Sequence, residues 1–185
     1  PEQTYLTEEG ESVLIGYYPR KALNSGTANP VSVTYTIAGE EDIMATGVQT
    51  GSLVDKFETF TFNHLLTQLQ FKCTGSAGAI AKWTAIISIK VKNVATGLKL
   101  SLDKTKGAQL TVTGTADQTL TVKNCPSTVS ALDAEKPSTG YLLLYPTANM
   151  GTEDLPVSLE GKGTYDGNPK TLNVAVSNIS EGVKA

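Results

Sequence analysis

The chain has 185 residues, a formal net charge of −3 and a charged fraction of only 18%. Arg20 is its one arginine and the lysines are scattered, so it lacks the basic stripe that nucleic-acid binding requires. No apolar run approaches the roughly 18 residues of a membrane-spanning helix, and the length is enough to bury a core without disulfide staples. Abundant Thr, Val and Gly favour strands joined by tight turns.

Strand signals recur along the chain. Val13, Ile15 and Tyr17 alternate with Leu14, Gly16 and Tyr18 until Pro19 stops the run. Val31, Val33, Tyr35 and Ile37 alternate with Ser32, Thr34 and Thr36, the pattern of a half-buried strand. Trp83, Ala85, Ile87, Ile89 and Val91 are expected on one face, opposite Ser88, Lys90 and Lys92. Leu98, Leu100 and Leu102 make a further strand. Leu110 and Val112, then Leu120 and Val122, flank Gly114-Thr115-Ala116-Asp117 and predict a hairpin. Three more strands are expected at Tyr141 to Tyr145, Val157 to Leu159, and Leu172 to Val176, with a turn at Tyr165 to Pro169 before the last.

One segment breaks the alternation. Phe60, Phe62 and His64 share one parity, whereas Leu69, Phe71 and Cys73 share the other. A one-residue slip turns every side chain to the opposite face. The segment therefore predicts a long bent strand, with a bulge or single helical turn at Leu65 to Thr67. Many short antiparallel strands imply an all-β sandwich. Thr46 to Ser52 reads as the linker, with too few strands before it for a complete domain.

Residues that could carry chemistry have plainer readings. His64, the single histidine, is expected to be a structural residue, packed or bonded to the bulge, because it shares the apolar face of Phe60 and Phe62. Glu8-Glu9-Glu11 and Glu40-Glu41-Asp42 lack the alternating spacing of a calcium loop and read as solvated turns. Cys73 and Cys125 form no metal-type pair and read as buried thiols, with a bridge as the alternative. Trp83 and the seven tyrosines offer a sugar-stacking platform, although Trp83 lies in an apolar alternation that favours the core. Gly75-Ser76-Ala77-Gly78 reads as a loop and Asn178-Ile179-Ser180 as a weak glycosylation sequon. No catalytic, cofactor-binding or metal-binding residue is assigned, and the chain is expected not to be an enzyme.

The segment Phe60 to Phe71, with Tyr17-Tyr18-Pro19 and Asp42-Ile43-Met44-Ala45 before it, resembles the fimbrillin-like (Mfa-like) proteins of Bacteroidales, in the type V pilin superfamily. Trp83 to Asn93 and Tyr141 to Pro146 continue the resemblance in the family's order. It implies a transthyretin-like antiparallel β-sandwich, incomplete at both ends. Residues 1–50 would be the C-terminal remnant of a first sandwich, and 52–185 a second lacking its final strand. The implied function is a structural or adhesive subunit of a surface fimbria, located at the outer membrane or in the fimbrium. The implied partners are other pilin subunits, joined by strand exchange through an apolar gap between strands, and host or bacterial surface ligands. Membrane attachment would come only through a lipid anchor that this chain does not carry. The alternative is a surface β-sandwich that binds carbohydrate without polymerising, marked by a solvent-facing line of tyrosines with Trp83.

Overall fold

The computed structural model describes residues 11–24, 29–123, 130–131, 138–146, 154–163 and 170–175. It is an all-β chain of antiparallel sheets with one short helix among these residues, as the composition predicts. In order the elements are β1 (Ser12–Leu14), β2 (Tyr17–Tyr18), β3 (Val31–Thr36), β4 (Met44–Thr46), β5 (Gln49–Gly51), β6 (Phe62–His64) and β7 (Thr67–Cys73). Then follow α1 (Ala77–Lys82), β8 (Trp83–Val94), β9 (Gly97–Asp103), β10 (Gly107–Val112), β11 (Gln118–Thr121) and β12 (Ser130–Ala131). The series ends with β13 (Ser138–Leu144), β14 (Asp154–Gly163) and β15 (Lys170–Ala175).

Contacts divide the chain into two compact units, and not at residues 50–52. The first comprises Pro1–Thr36, Asp42–Leu65 and Gly97–Thr113, and the second Ile37–Glu41, Leu66–Thr96 and Gly114–Ala185. Thr46 to Ser52 is no linker, because Gln49–Gly51 forms β5 and pairs with β1.

In the first unit the sheet β10-β9-β3 shows why its sequence folds this way. Register places Val33, Leu100 and Leu110 in one row and Tyr35, Leu98 and Val112 in the next. Directly opposed residues project to the same face. Val33, Leu98 and Leu100 are fully buried, and Tyr35 and Leu110 nearly so. The other face carries Ser32, Ser101 and Gln109, then Thr34, Lys99 and Thr111. Fully burying each large aliphatic contributes about 1.5–3 kcal/mol. Burial raises the Tyr35 phenol to about 12, with Tyr17 adding to the effect, and the Tyr35 hydroxyl donates to the Pro19 carbonyl at 2.8 Å. The β9–β10 turn is closed by Asp103 Oδ1, which accepts from the Thr105 and Lys106 amides at 2.8 and 3.0 Å.

That hairpin replaces the predicted one. β10 pairs with β9 whereas β11 pairs with β8, so Gly114 to Asp117 links the two units and turns no hairpin. The predicted bent strand also becomes two strands. β6 pairs with β4 in the first unit and β7 with β13 in the second. The parity break at Leu65 and Leu66 is real, but its cause is a change of sheet.

The second unit packs two sheets around one core. Leu69 of β7 and Leu142 and Leu144 of β13 meet Ile86, Ile89, Val91 and Val94 of β8, Leu120 of β11 and Val157 of β14. The chain just after β11 leaves the first of these neighbours for the second: Val122 donates to Ile89, and Lys123 bridges Tyr141. A strand that switches sheets in this way forms a corner of a sandwich. β8 does not keep one face inward, as simple alternation predicts. Register shifts skip Thr84 and Ile87 opposite β14 and fall again before Val94 opposite β11, where Asn93 adopts φ 58°. These bulges bring Ile86 and Val94 into the core with Ile89 and Val91, and leave Trp83 half-buried. Gly75 to Gly78 is not simply a loop, since Ser76 Oγ caps α1 by accepting the Ala79 amide at 3.3 Å.

Residues 37–41 dock within this unit. The Gly39 carbonyl accepts from the Leu143 amide at 2.9 Å. Glu41 Oε2 accepts the Ala38, Gly39 and Glu40 amides at 2.6, 3.1 and 3.3 Å. Burial opposes the Glu41 charge, but the backbone donors outweigh it and lower its pKa. Gly39 has φ 98°, and a Cβ there would lie 2.3 Å from Leu142 Cδ1. Gly39→Ala is expected to cost about 1–3 kcal/mol in urea unfolding, from backbone strain plus displacement of Leu142. Gly114→Ala separates the two terms, because φ is 99° there but the Cβ meets nothing within 4 Å. Its cost should be about 1 kcal/mol, and equal costs at the two sites would contradict the close-packing argument.

Candidate interaction surface

Among the described residues of the first unit, the exposed aromatics lie on the small sheet β2-β4-β6. Register aligns Tyr18, Met44 and His64 across the three strands, and Thr46 with Phe62. These residues therefore share one face, while Ala45 points to the buried side. Tyr18 is 52% exposed and Phe62 43%, and all three residues of β6 are exposed.

Gly16 shapes one end of this face. Its amide donates to Thr46 Oγ1 at 2.8 Å, and its carbonyl accepts the Thr46 amide at 2.9 Å. A Cβ on Gly16 would lie 2.9 Å from Phe62 Cζ and 3.1 Å from Thr46 Cγ2. The Phe62 ring thus lies across the glycine backbone and covers Thr46, which is buried despite facing outward. The signal that would have revealed this was Gly16 itself, since glycine inside a strand pattern often marks close approach.

His64 Nδ1 contacts Asp42 Oδ2 at 2.5 Å, with the two side chains 56% and 26% exposed. The expectation of a histidine packed on an apolar face is therefore corrected. It does share its parity with Phe62, but that parity faces solvent, because the opposite parity, Ile43 just before β4 and Ala45 within it, is buried. The remaining acids of this cluster act separately. Glu41 closes the 38–41 turn, and Glu40 lies 3.8 Å from Lys123. No group of three metal-donor side chains occurs among the described residues.

Cys73 is half-buried, whereas Cys125 lies outside the described residues, as do Glu8, Glu9 and the Asn178 sequon. The tyrosine line with Trp83 is not what this surface presents: Trp83 is half-buried at the end of α1 in the other unit.

Strand edges bear on assembly. Beside β3, Asn24 donates its amide to the Ser32 carbonyl at 2.7 Å, and its side chain to Ser32 and Thr34 hydroxyls at 3.0 Å. This shields that edge. β6 ends its sheet among the described residues. The Leu65 amide donates to the Ile43 carbonyl at 2.8 Å, so antiparallel alternation turns the Phe62 and His64 amides away from β4.

The architecture defines an all-β protein of antiparallel strands, with two sheets packed face to face around one core in its second unit. By sequence the chain belongs to the fimbrillin-like family, which it matches over residues 1–181. No curated protein matches it significantly. It is similar in fold to the crystal structure of a candidate cell adhesion protein from Bacteroides uniformis, with a TM-score of 0.63 and 16% identity. That match covers 91% of this chain and 61% of the other. A candidate cell adhesion protein from Bacteroides fragilis gives a TM-score of 0.57 at 16% identity, covering 95% of this chain and 58% of that one. The chain thus spans about three fifths of the length of these solved structures.

An ion pair this exposed contributes little. His64→Ala should therefore lower stability by less than about 1 kcal/mol in thermal or urea unfolding. A loss of about 3 kcal/mol would restore the reading of a buried structural histidine.

Proposed function

We propose that the chain is a structural or adhesive, non-enzymatic subunit of a bacterial surface fimbria. The observation that carries this reading is the family match over residues 1–181. The two adhesion-protein folds support it independently. Two units of short antiparallel strands suit a fibre subunit, and we read them as transthyretin-like sandwiches, the first interleaved with the second along the chain. The protein would sit at the cell surface, held at the outer membrane by a lipid anchor or built into the fimbrium. No helix among the described residues is long and apolar enough to cross a membrane.

Assembly would proceed by strand exchange with other pilin subunits. An exposed edge accepts a neighbour's strand through main-chain hydrogen bonds, and alternate side chains supply specificity. β6 is such an edge, with two amides turned outward. A second reading, a surface module that binds carbohydrate without polymerising, is favoured by the exposure of Tyr18 and Phe62.

Sedimentation and amide hydrogen exchange across a concentration series test the assembly reading. The expected result is a concentration-dependent oligomer in which strand-edge amides, Phe62 and His64 among them, exchange more slowly than in the monomer. A chain that stays monomeric throughout, or oligomers that leave every edge amide unchanged, would contradict strand exchange.

A further inference from the structure

The geometry points to a saccharide-binding subsite on the outer face of β2-β4-β6, formed by Tyr18, Met44, Phe62 and His64. On this face two rows of residues lie side by side. Gly16, Thr46 and Phe62 form the first, filled by the Phe62 ring lying over Gly16. Tyr18, Met44 and His64 form the second. Strands are about 4.8 Å apart, so Tyr18 and His64 stand about 10 Å from each other across Met44. The face therefore presents an exposed phenol on one edge strand, a half-buried thioether in the middle and an exposed imidazole on the opposite edge.

The chemistry of this face fits a pyranose ring. A sugar presents one apolar C–H face to an aromatic ring, and hydroxyls around its rim to polar groups. Tyr18 supplies an exposed ring with a hydroxyl at its edge. His64 supplies the polar handle: Asp42 Oδ2 holds its Nδ1, which fixes the ring orientation and leaves Nε2 to meet a hydroxyl. Apolar surface with a few oriented polar groups is the usual composition of a small-ligand site.

Size decides between a sugar and a protein occupant. The face is two strand spacings wide and two or three residues long, on the order of 100 Å². A stable protein interface covers about 800 Å² on each partner. The patch is far too small to hold a second subunit by itself, and it matches one or two sugar rings. The proposal does not depend on polymerisation, because a sugar-binding face serves an adhesive fibre subunit and a non-polymerising module alike.

The test is an NMR titration of the chain with methyl glycosides of glucose, galactose, mannose and N-acetylglucosamine, with glycerol as a polyol that lacks a ring. The expected result is saturable shifts confined to residues 16–18, 42–46 and 62–64, with a Kd on the order of 1 mM for at least one glycoside. Tyr18→Ala, at an exposed position, should leave the melting temperature unchanged and weaken binding about tenfold, the loss of one stacking contact. His64→Ala should weaken it several-fold. The proposal is overturned if no glycoside gives saturable shifts, if glycerol gives the same shifts, or if Tyr18→Ala binds within twofold of the parent. Shifts that follow protein concentration rather than glycoside would overturn it in favour of a contact between copies. An unchanged affinity in His64→Ala would remove the polar handle and with it the site as described.

Discussion

Leu98 and Leu100 occupy the middle strand of the sheet β10-β9-β3 and are wholly removed from water. Their partners across the sheet, Tyr35 and Val33, lie more than sixty residues earlier in the chain. Much else follows from this long-range pairing. It draws residues 97–113 out of the run of second-unit strands and returns them to the first unit, so neither unit is a continuous stretch. Closing so long a loop costs entropy, and the rows of buried aliphatics on β3, β9 and β10 offset it. The polar opposite face fixes the register, since a one-residue slip would bury Ser32, Thr34 and Lys99.

The candidate surface depends on the same unit for its rigidity. Tyr35 is buried in the β3 row and its hydroxyl holds the Pro19 carbonyl directly after β2. Lys21 Nζ sits 5.0 Å over the Tyr35 ring, and its carbonyl accepts the Tyr17 hydroxyl at 2.8 Å. The segment that presents Tyr18 is thereby tied to the unit's central sheet. The exposed residues sit on strands braced from beneath, which suits a binding face better than a mobile loop would.

Much of this was legible in the sequence, for a physical reason. β3 and β9 keep strict alternation because one side is core and the other water, so Val33, Tyr35, Leu98 and Leu100 announce their burial. The parity break at Leu65 was equally legible. Its meaning was not, because a bulge and a change of sheet leave the same mark in the sequence. β8 misled for a related reason. Its three register shifts exchange inner and outer residues within one strand, and only Asn93, a residue tolerant of positive φ, hinted at them. The hairpin at Gly114 failed because turn chemistry is local while pairing is decided by whichever apolar face lies nearest. At the candidate surface, the parity of Phe62 and His64 was plain, but a sequence gives no indication of which parity faces out when a strand forms the edge of a three-stranded sheet.

The interleaving of the two units is the claim on which both the fold and the surface rest, and residue-resolved amide hydrogen exchange under increasing denaturant tests it most directly. The account predicts that the amides of β9 and β10 lose protection together with those of β3, as one cooperative set, while β8, β11 and β14 form another. Protection of residues 97–112 lost in step with β8 instead, with β3 opening alone, would contradict it.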